Sequence, residues 1–148
     1  MSADSLGIQG NGTTSDISFS PDGTKILLRS AASNLTPGDT NGTWDIFLKD
    51  LTTSAVSLVS SNSYGIQANH DVDDARFSPD GTKILFSSTA SNLVNGDTNG
   101  TSDIFIKDLI TGTVTRVSTD SAGVEGNGYI ASCMPHGFGG SLISSCRT

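Results

Sequence analysis

Short stretches of alternating apolar and polar residues run along this chain, separated by clusters of Ser, Asp, Asn and Gly. Ile17 and Phe19 alternate with polar neighbours, which is the period of a half-buried β-strand. Residues 25–30 contain three consecutive apolar side chains, so the strand that they predict is buried on both faces. The sequence Ser-Pro-Asp-Gly at 20–23 favours a tight turn between these strands, because Pro presets φ and Gly tolerates a left-handed conformation.

The same pattern occurs twice, at a fixed offset along the chain. Residues 7–60 and 65–118 are identical at 35 of 54 aligned positions, and the segment at 19–27 recurs unchanged at 77–85. A fixed internal period of this length is typical of repeat architectures, in which each repeat is one supersecondary unit.

Each copy predicts four antiparallel strands. In the first copy, residues 1–60, we expect strands at about 15–20, 25–30, 44–49 and 55–60. In the second copy, residues 61–118, we expect strands at about 73–78, 83–88, 102–107 and 113–118. Four-stranded antiparallel sheets covered on both faces by their neighbours are the blades of a β-propeller. The predicted fold class is therefore all-β, with two four-stranded antiparallel blades per chain.

The last thirty residues depart from the repeat. Residues 119–148 are predicted to hold a partial third repeat followed by a divergent tail. Cys133 and Cys146 lie in this tail, and two cysteines in an irregular terminus leave open whether they form a disulfide.

Composition and charge narrow the classes of function. Only 34% of the 148 residues are hydrophobic, and Ser, Thr, Asn, Asp and Gly are frequent, which disfavours a helical bundle. No apolar stretch is long enough to span a bilayer. Eight basic against fifteen acidic residues give a net charge of −7, which argues against nucleic acid as a partner and favours cations.

The first five residues lack the features of an export signal, so we expect any such signal to be missing from this chain.

Three motifs, each present twice, resemble a known repeat. Phe-Ser-Pro-Asp-Gly-Thr-Lys-Ile-Leu, Asp-Ile-Phe and Lys-Asp-Leu-x-Thr together resemble the WD40-like, TolB-type β-propeller repeat (PD40) over roughly residues 7–128. The loop Gly-Asp-Thr-Asn-Gly-x-x-Asp resembles a bacterial subclass found in exported proteins. The resemblance implies a β-propeller fold, an interaction or scaffold role, and an extracellular or periplasmic location. It does not imply one shared chemistry, since propellers have many functions.

The Gly-Asp-Thr-Asn-Gly loops are the candidate metal sites. Their side-chain oxygens are spaced so that they can converge on one hard cation, and calcium suits a flexible shell made of oxygen alone. The candidate ligands are Asp39, Asn41, Thr43, Asp45, Asp97, Asn99, Thr101 and Asp103. An alternative is that Asp, Asn and Gly serve only as turn residues, with Asp45 capping backbone groups. The repeats lack Cys and His at zinc-ligand spacing, which disfavours zinc.

Two blades do not close a ring, because propellers have about four to eight blades. We therefore expect either a homo-oligomer, a trimer being slightly preferred over a tetramer, or a place within a longer parent protein.

The sequence contains no nucleophile elbow, phosphate-binding glycine loop or His-Glu-x-x-His motif, so we predict that the chain is not an enzyme. We interpret the carboxylates around His70, at 71–74, as parts of a solvated loop.

The leading hypothesis is a non-catalytic, calcium-stabilised propeller module for protein or glycan interaction on an exported protein. One alternative is a propeller fragment of a secreted hydrolase whose catalytic residues lie elsewhere or at the central funnel. The other is a purely structural repeat unit that self-assembles.

Overall fold

Eight β-strands form two antiparallel sheets in this computed structural model, which describes residues 2–126. The strands are β1 (Thr14–Phe19), β2 (Lys25–Ser30), β3 (Asp45–Asp50), β4 (Val56–Leu58), β5 (Val72–Phe77), β6 (Lys83–Ser88), β7 (Asp103–Asp108) and β8 (Val114–Arg116). The first sheet, blade 1, has the order β1-β2-β3-β4, and the second, blade 2, has the order β5-β6-β7-β8. The predicted all-β class, with two four-stranded antiparallel sheets that do not close a ring, is confirmed.

The tail that contains Cys133 and Cys146 lies outside the described residues, whereas the start of the predicted partial third repeat is described as far as residue 126. Between residues 2 and 126, no helix has the length and hydropathy needed to cross a membrane.

The first Ser-Pro-Asp-Gly turn lies at 20–23, as the sequence pattern predicts, and the strand before it ends one residue earlier than expected. Asp22 Oδ1 accepts hydrogen bonds from Ser20 Oγ and from the Thr24 backbone and hydroxyl. These bonds lower the pKa of Asp22 to about 2, and Asp80 makes the same contacts in blade 2. Gly23 has φ of 74°, a conformation that glycine adopts without strain. Ser20 therefore belongs to the turn, and β1 ends at Phe19.

The fourth strand of each sheet is shorter than predicted. In blade 1, the backbone N–H groups of Val59 and Ser60 both donate to the Ile46 carbonyl, which ends the regular ladder after Leu58. The Ser60 hydroxyl turns inward and accepts from the Ile46 N–H. The β4 strand therefore has only three residues instead of the six expected from 55–60.

An apolar cluster lies between the two blades. Its fully buried members are Leu27, Ile46, Leu48, Val59, Ala68, Val72, Ile84, Phe86, Ala90, Leu93, Phe105 and Val114. The rings of Phe86 and Phe105 stack with their centroids 5.7 Å apart. One face of blade 1 thus packs against one face of blade 2, which explains the consecutive apolar residues in β2 and β6.

Arg29 joins the two blades by polar contacts. Its Nε donates to the Val72 carbonyl at 2.7 Å, and its Nη2 lies 2.6 Å from Asp73 Oδ1. Its guanidinium also lies 4.3 Å from the centre of the Trp44 ring. The side chain is only 18% exposed, so these contacts are partly shielded from water.

The segment before each blade is anchored by a buried lysine. Lys49 Nζ donates to the carbonyls of Ala3 and Asp4, and Lys107 Nζ donates to that of Ser61. Isolated β-bridges close the two segments, and a third bridge, Thr119 to Glu125, follows blade 2. Burial lowers the pKa of Lys107. The linker at 61–69 is thereby fixed where it can contact the loops of blade 1.

Candidate cation sites

The predicted metal loops lie between the second and third strands of each blade. In blade 1 the loop ends at Asp45, the first residue of β3, and it bends at Gly42, which has φ of 70°. The loop is held against the inter-blade linker. The backbone N–H of Thr40 donates to Gln67 Oε1 at 3.0 Å, and Asn41 Nδ2 donates to the Ala68 carbonyl at 2.9 Å.

Asp45 is a buried carboxylate with one unsatisfied oxygen. Its side chain is 0% exposed, and its Oδ1 accepts a 2.6 Å hydrogen bond from Ser60 Oγ. Its Oδ2 is buried and has no hydrogen-bond partner. Burial is the main cause that raises the pKa of Asp45 to about 6; the Ser60 and Asn41 side chains act against it, and the charges of Asp39 and Asp71 act with it. Blade 1 therefore concentrates negative charge around an oxygen that lacks a donor.

The other candidate ligands of blade 1 divide into two groups. Thr43 Oγ1 is buried and has no partner, and Asp39 is 6% exposed, with a long, 3.5 Å contact from Gln67 Nε2 and a backbone contact from Asn41. Asn41 instead uses its side chain to shape the loop, because its Oδ1 accepts from the Thr43 N–H while its Nδ2 donates to the Ala68 carbonyl of the linker. Asp39, Thr43 and Asp45 thus keep oxygens that a cation can take.

Blade 2 repeats the loop but surrounds it differently. Ligand atoms of Asp97, Asp103 and Glu125 all lie within 4.8 Å of one another, an arrangement that can hold a metal ion. Asn99 Nδ2 donates to Asp103 Oδ2 at 2.8 Å, and the Ser118 hydroxyl donates to Asp103 Oδ1. Both oxygens of this carboxylate therefore have hydrogen-bond donors, unlike those of its counterpart in blade 1.

A guanidinium lies beside the blade 2 cluster. Arg116 Nη1 is 2.9 Å from Glu125 Oε2 and 3.7 Å from Asp97 Oδ1, and the arginine side chain is 9% exposed. The Thr98 N–H and hydroxyl also donate to Glu125. Burial is the main cause that raises the pKa of Asp97, whereas the Arg116 charge lowers it. Thr101 Oγ1 is buried without a partner, as Thr43 Oγ1 is.

Sequence reasoning missed the residues that complete these sites. Gln67 and Glu125 lie 27 residues beyond Thr40 and Thr98, on the segment that follows each blade. The repeat offset places Glu125 at the position of Gln67 and Arg116 at that of Leu58. Aligning the two repeats reveals both differences. It does not reveal that these side chains reach the loops.

The carboxylates near His70 point to different partners. Asp71 Oδ1 accepts from the Trp44 N–H, and Asp73 pairs with Arg29. Asp74 Oδ2 is buried without a partner. Within residues 2–126, His70 does not join these carboxylates in a group with metal-ligand spacing.

Comparison with known proteins gives similarity in structure alone. No family model matches the chain, and no curated protein matches it. TolB from Acinetobacter baumannii matches with 29% identity and a TM-score of 0.47, over 83% of this chain and 24% of that one. The β-propeller domain of the Trilobed protease from Pyrococcus furiosus matches with 18% identity and a TM-score of 0.46, over 72% of this chain and 27% of that one.

A third match is the acylaminoacyl peptidase of Pyrococcus horikoshii, with 20% identity and a TM-score of 0.44 over 72% of this chain and 14% of that one. The chain spans about a quarter or less of the length of these matched chains. It is therefore similar to parts of these three structures.

Proposed function

We propose that this chain is a non-catalytic scaffold module of propeller blades whose aspartate-rich loops bind calcium. The observation that supports this most is Asp45, a fully buried carboxylate whose Oδ2 has no donor. An unpaired buried charge is costly in the folded state. A bound cation would remove that cost and would hold the end of the loop to the first residue of β3.

Calcium suits the donor set of the loops. The available ligands are carboxylate and hydroxyl oxygens, with backbone carbonyls nearby, and calcium accepts a flexible shell of about six to eight such oxygens. Magnesium requires a near-ideal octahedron and gives up its water reluctantly. Extracellular calcium modules commonly bind with dissociation constants of about 10⁻⁴–10⁻³ M, so a loop site of this kind fits the exported location that we propose.

The use of other buried charges supports a structural role. Lys49 and Lys107 are each 9% exposed, and both donate to backbone carbonyls of the segments that precede the blades. These cations stabilise the fold by satisfying backbone acceptors. These two lysines position the segments that precede the blades, which fits the scaffold role that we propose.

Calcium is expected to stabilise the chain against heat. At about 10 mM CaCl₂, roughly ten times the dissociation constant of a weak site, the free energy of unfolding should rise by about 1.4 kcal/mol, because only the folded loop binds the ion. The melting temperature in calcium should then exceed that in EDTA by about 3–6 °C. MgCl₂ at the same concentration is the control and should give a smaller shift. Equal melting temperatures in calcium and EDTA would contradict calcium binding.

We also propose that a second copy of this chain packs against blade 1. Phe19 is 66% exposed and Ile17 is 58% exposed. Their counterparts in the repeat, Phe77 and Ala75, are partly buried against the cluster between the blades. The same face is thus covered by a blade in one repeat and exposed in the other. Because the repeats are nearly identical, a blade from another copy fits this face, and three copies would supply six blades.

Light scattering tests the association of copies. We expect a particle of three chain masses for the wild type and of one chain mass for Phe19→Asp, because a charge placed in the contact must lose its hydration. Tyr64→Asp is the control, since Tyr64 is 88% exposed outside this face, and it should leave the mass unchanged. A wild-type chain that stays monomeric at every concentration would rule out the proposed assembly.

A further inference from the structure

We infer that calcium binds to only one of the two loops, that of blade 1, and that Arg116 supplies the positive charge in blade 2. This goes further than the calcium binding proposed above and rests on it. The two loops have the same four candidate ligands, Asp, Asn, Thr and Asp, so the loop sequences alone give no reason for a difference. The difference lies in the residues around them.

In blade 2 the negative charge already has a fixed cation. The Arg116 guanidinium is within 4.0 Å of both Asp97 and Glu125, and it is largely buried. A divalent ion bound between these carboxylates would lie close to the guanidinium, and two positive charges at about 4 Å repel each other by several kcal/mol in a partly shielded site. The third carboxylate, that of Asp103, is satisfied by Ser118 and Asn99. The three carboxylates of blade 2 therefore have cationic or hydrogen-bonding partners without a metal ion, although Thr101 Oγ1 and Arg116 Nε are buried there without partners.

In blade 1 the corresponding positions supply no positive charge. Leu58 lies at the position of Arg116, and the neutral Gln67 lies at the position of Glu125. The carboxylates of Asp39 and Asp45 are both buried, and Asp45 Oδ2 has no donor. The charge of Asp71 also acts on Asp45, although among residues 2–126 these three carboxylates do not converge within 4.8 Å as those of blade 2 do. Blade 1 therefore lacks the internal cation of blade 2, and a calcium ion from solution would occupy the equivalent place.

Thr43 marks where the ion would bind. Its buried hydroxyl oxygen has no partner in the folded chain, although hydroxyl groups are easily satisfied by rotation when a partner is within reach. Together, Thr43 Oγ1 and Asp45 Oδ2 give blade 1 two buried oxygens without donors, whereas the equivalent pair in blade 2 has only Thr101 Oγ1. Oxygen ligands of this kind match calcium.

Calorimetric titration of the full chain with CaCl₂ tests this assignment by counting bound ions. We expect one calcium per chain for the wild type, none for Asp45→Asn, and one for the matched variant Asp103→Asn. Arg116→Leu copies the residue of blade 1 and should raise the number to two. Leu58→Arg is the reciprocal change, and it should abolish binding by placing a guanidinium beside Asp39. A circular dichroism spectrum of each variant confirms that its strands remain.

The outcomes separate the inference from the proposed function. Two ions on the wild type, or loss of binding in Asp103→Asn but not in Asp45→Asn, would overturn the assignment to blade 1 and leave calcium binding intact. A count of one in Arg116→Leu together with retained binding in Leu58→Arg would overturn the role of Arg116. Absence of binding in the wild type and in every variant would overturn the proposed calcium binding as well.

Discussion

Replacing Phe105 with alanine is expected to lower the free energy of unfolding by about 3–5 kcal/mol. Phe105 is 0% exposed and lies in β7, within the cluster between the blades. Its ring stacks on Phe86, so truncation removes the aromatic contact as well as apolar burial. The resulting cavity would lie between two sheets whose strands are fixed by hydrogen bonds on both sides, which limits how far the site can collapse.

Urea denaturation followed by circular dichroism measures this loss. Tyr64→Ala is the control, because Tyr64 is 88% exposed and its substitution should change the free energy of unfolding by less than about 0.5 kcal/mol. A loss below 1 kcal/mol for Phe105→Ala would mean that the packing between the blades contributes little to stability.

The change Arg29→Ala is expected to cost about 2–3 kcal/mol and to weaken the contact between the blades. The substitution removes an ion pair with Asp73, a hydrogen bond to the Val72 carbonyl and the contact with the Trp44 ring. It also leaves the Val72 carbonyl without its side-chain donor. The equivalent position in the second repeat is Ser87, so no arginine makes this contact in blade 2.

Two further variants distinguish the geometry of Arg29 from its charge. Arg29→Lys keeps the charge but lacks the forked donors that reach Val72 and Asp73 together, so it should recover less than half of the loss. Arg76→Ala removes an exposed arginine and should be nearly neutral. Equal stability of the Arg29→Ala and Arg76→Ala proteins in urea would show that Arg29 does not hold the blades together.

Repetition and period-2 patterning were sufficient to predict the number of strands and their antiparallel arrangement. They placed β2 at 25–30 and β6 at 83–88, as observed, because consecutive apolar residues bounded by turns define a strand buried on both faces. They placed the end of β4 two residues too late. Val59 is apolar and continues the pattern, but two N–H groups converge on one carbonyl there and end the ladder. Local pattern does not encode such a shared acceptor.

The candidate site was only partly accessible from sequence. The loop composition pointed to Asp39 and Asp45, both of which are buried, and the charge of Asp39 acts to raise the pKa of Asp45. The sequence did not indicate that Asn41 is occupied by the loop and linker, or that Arg116 reaches the second loop from β8. The contacts of Asn41 with Ala68 and of Arg116 with Asp97 depend on tertiary packing between residues far apart in the chain, and the binding of calcium itself stays a prediction.

The contacts of the linker between the blades determine where the chain tolerates an insertion or new termini. Gln67 holds the loop of blade 1, while Ser63 Oγ accepts from the Val114 N–H of blade 2, so an insertion in the linker would strain both sheets at once. The β3–β4 turn at 52–54 is exposed, and its side chains bond only within the turn. New termini or an inserted reporter peptide therefore belong at this turn, where the chain can be reopened without uncoupling one blade from the other.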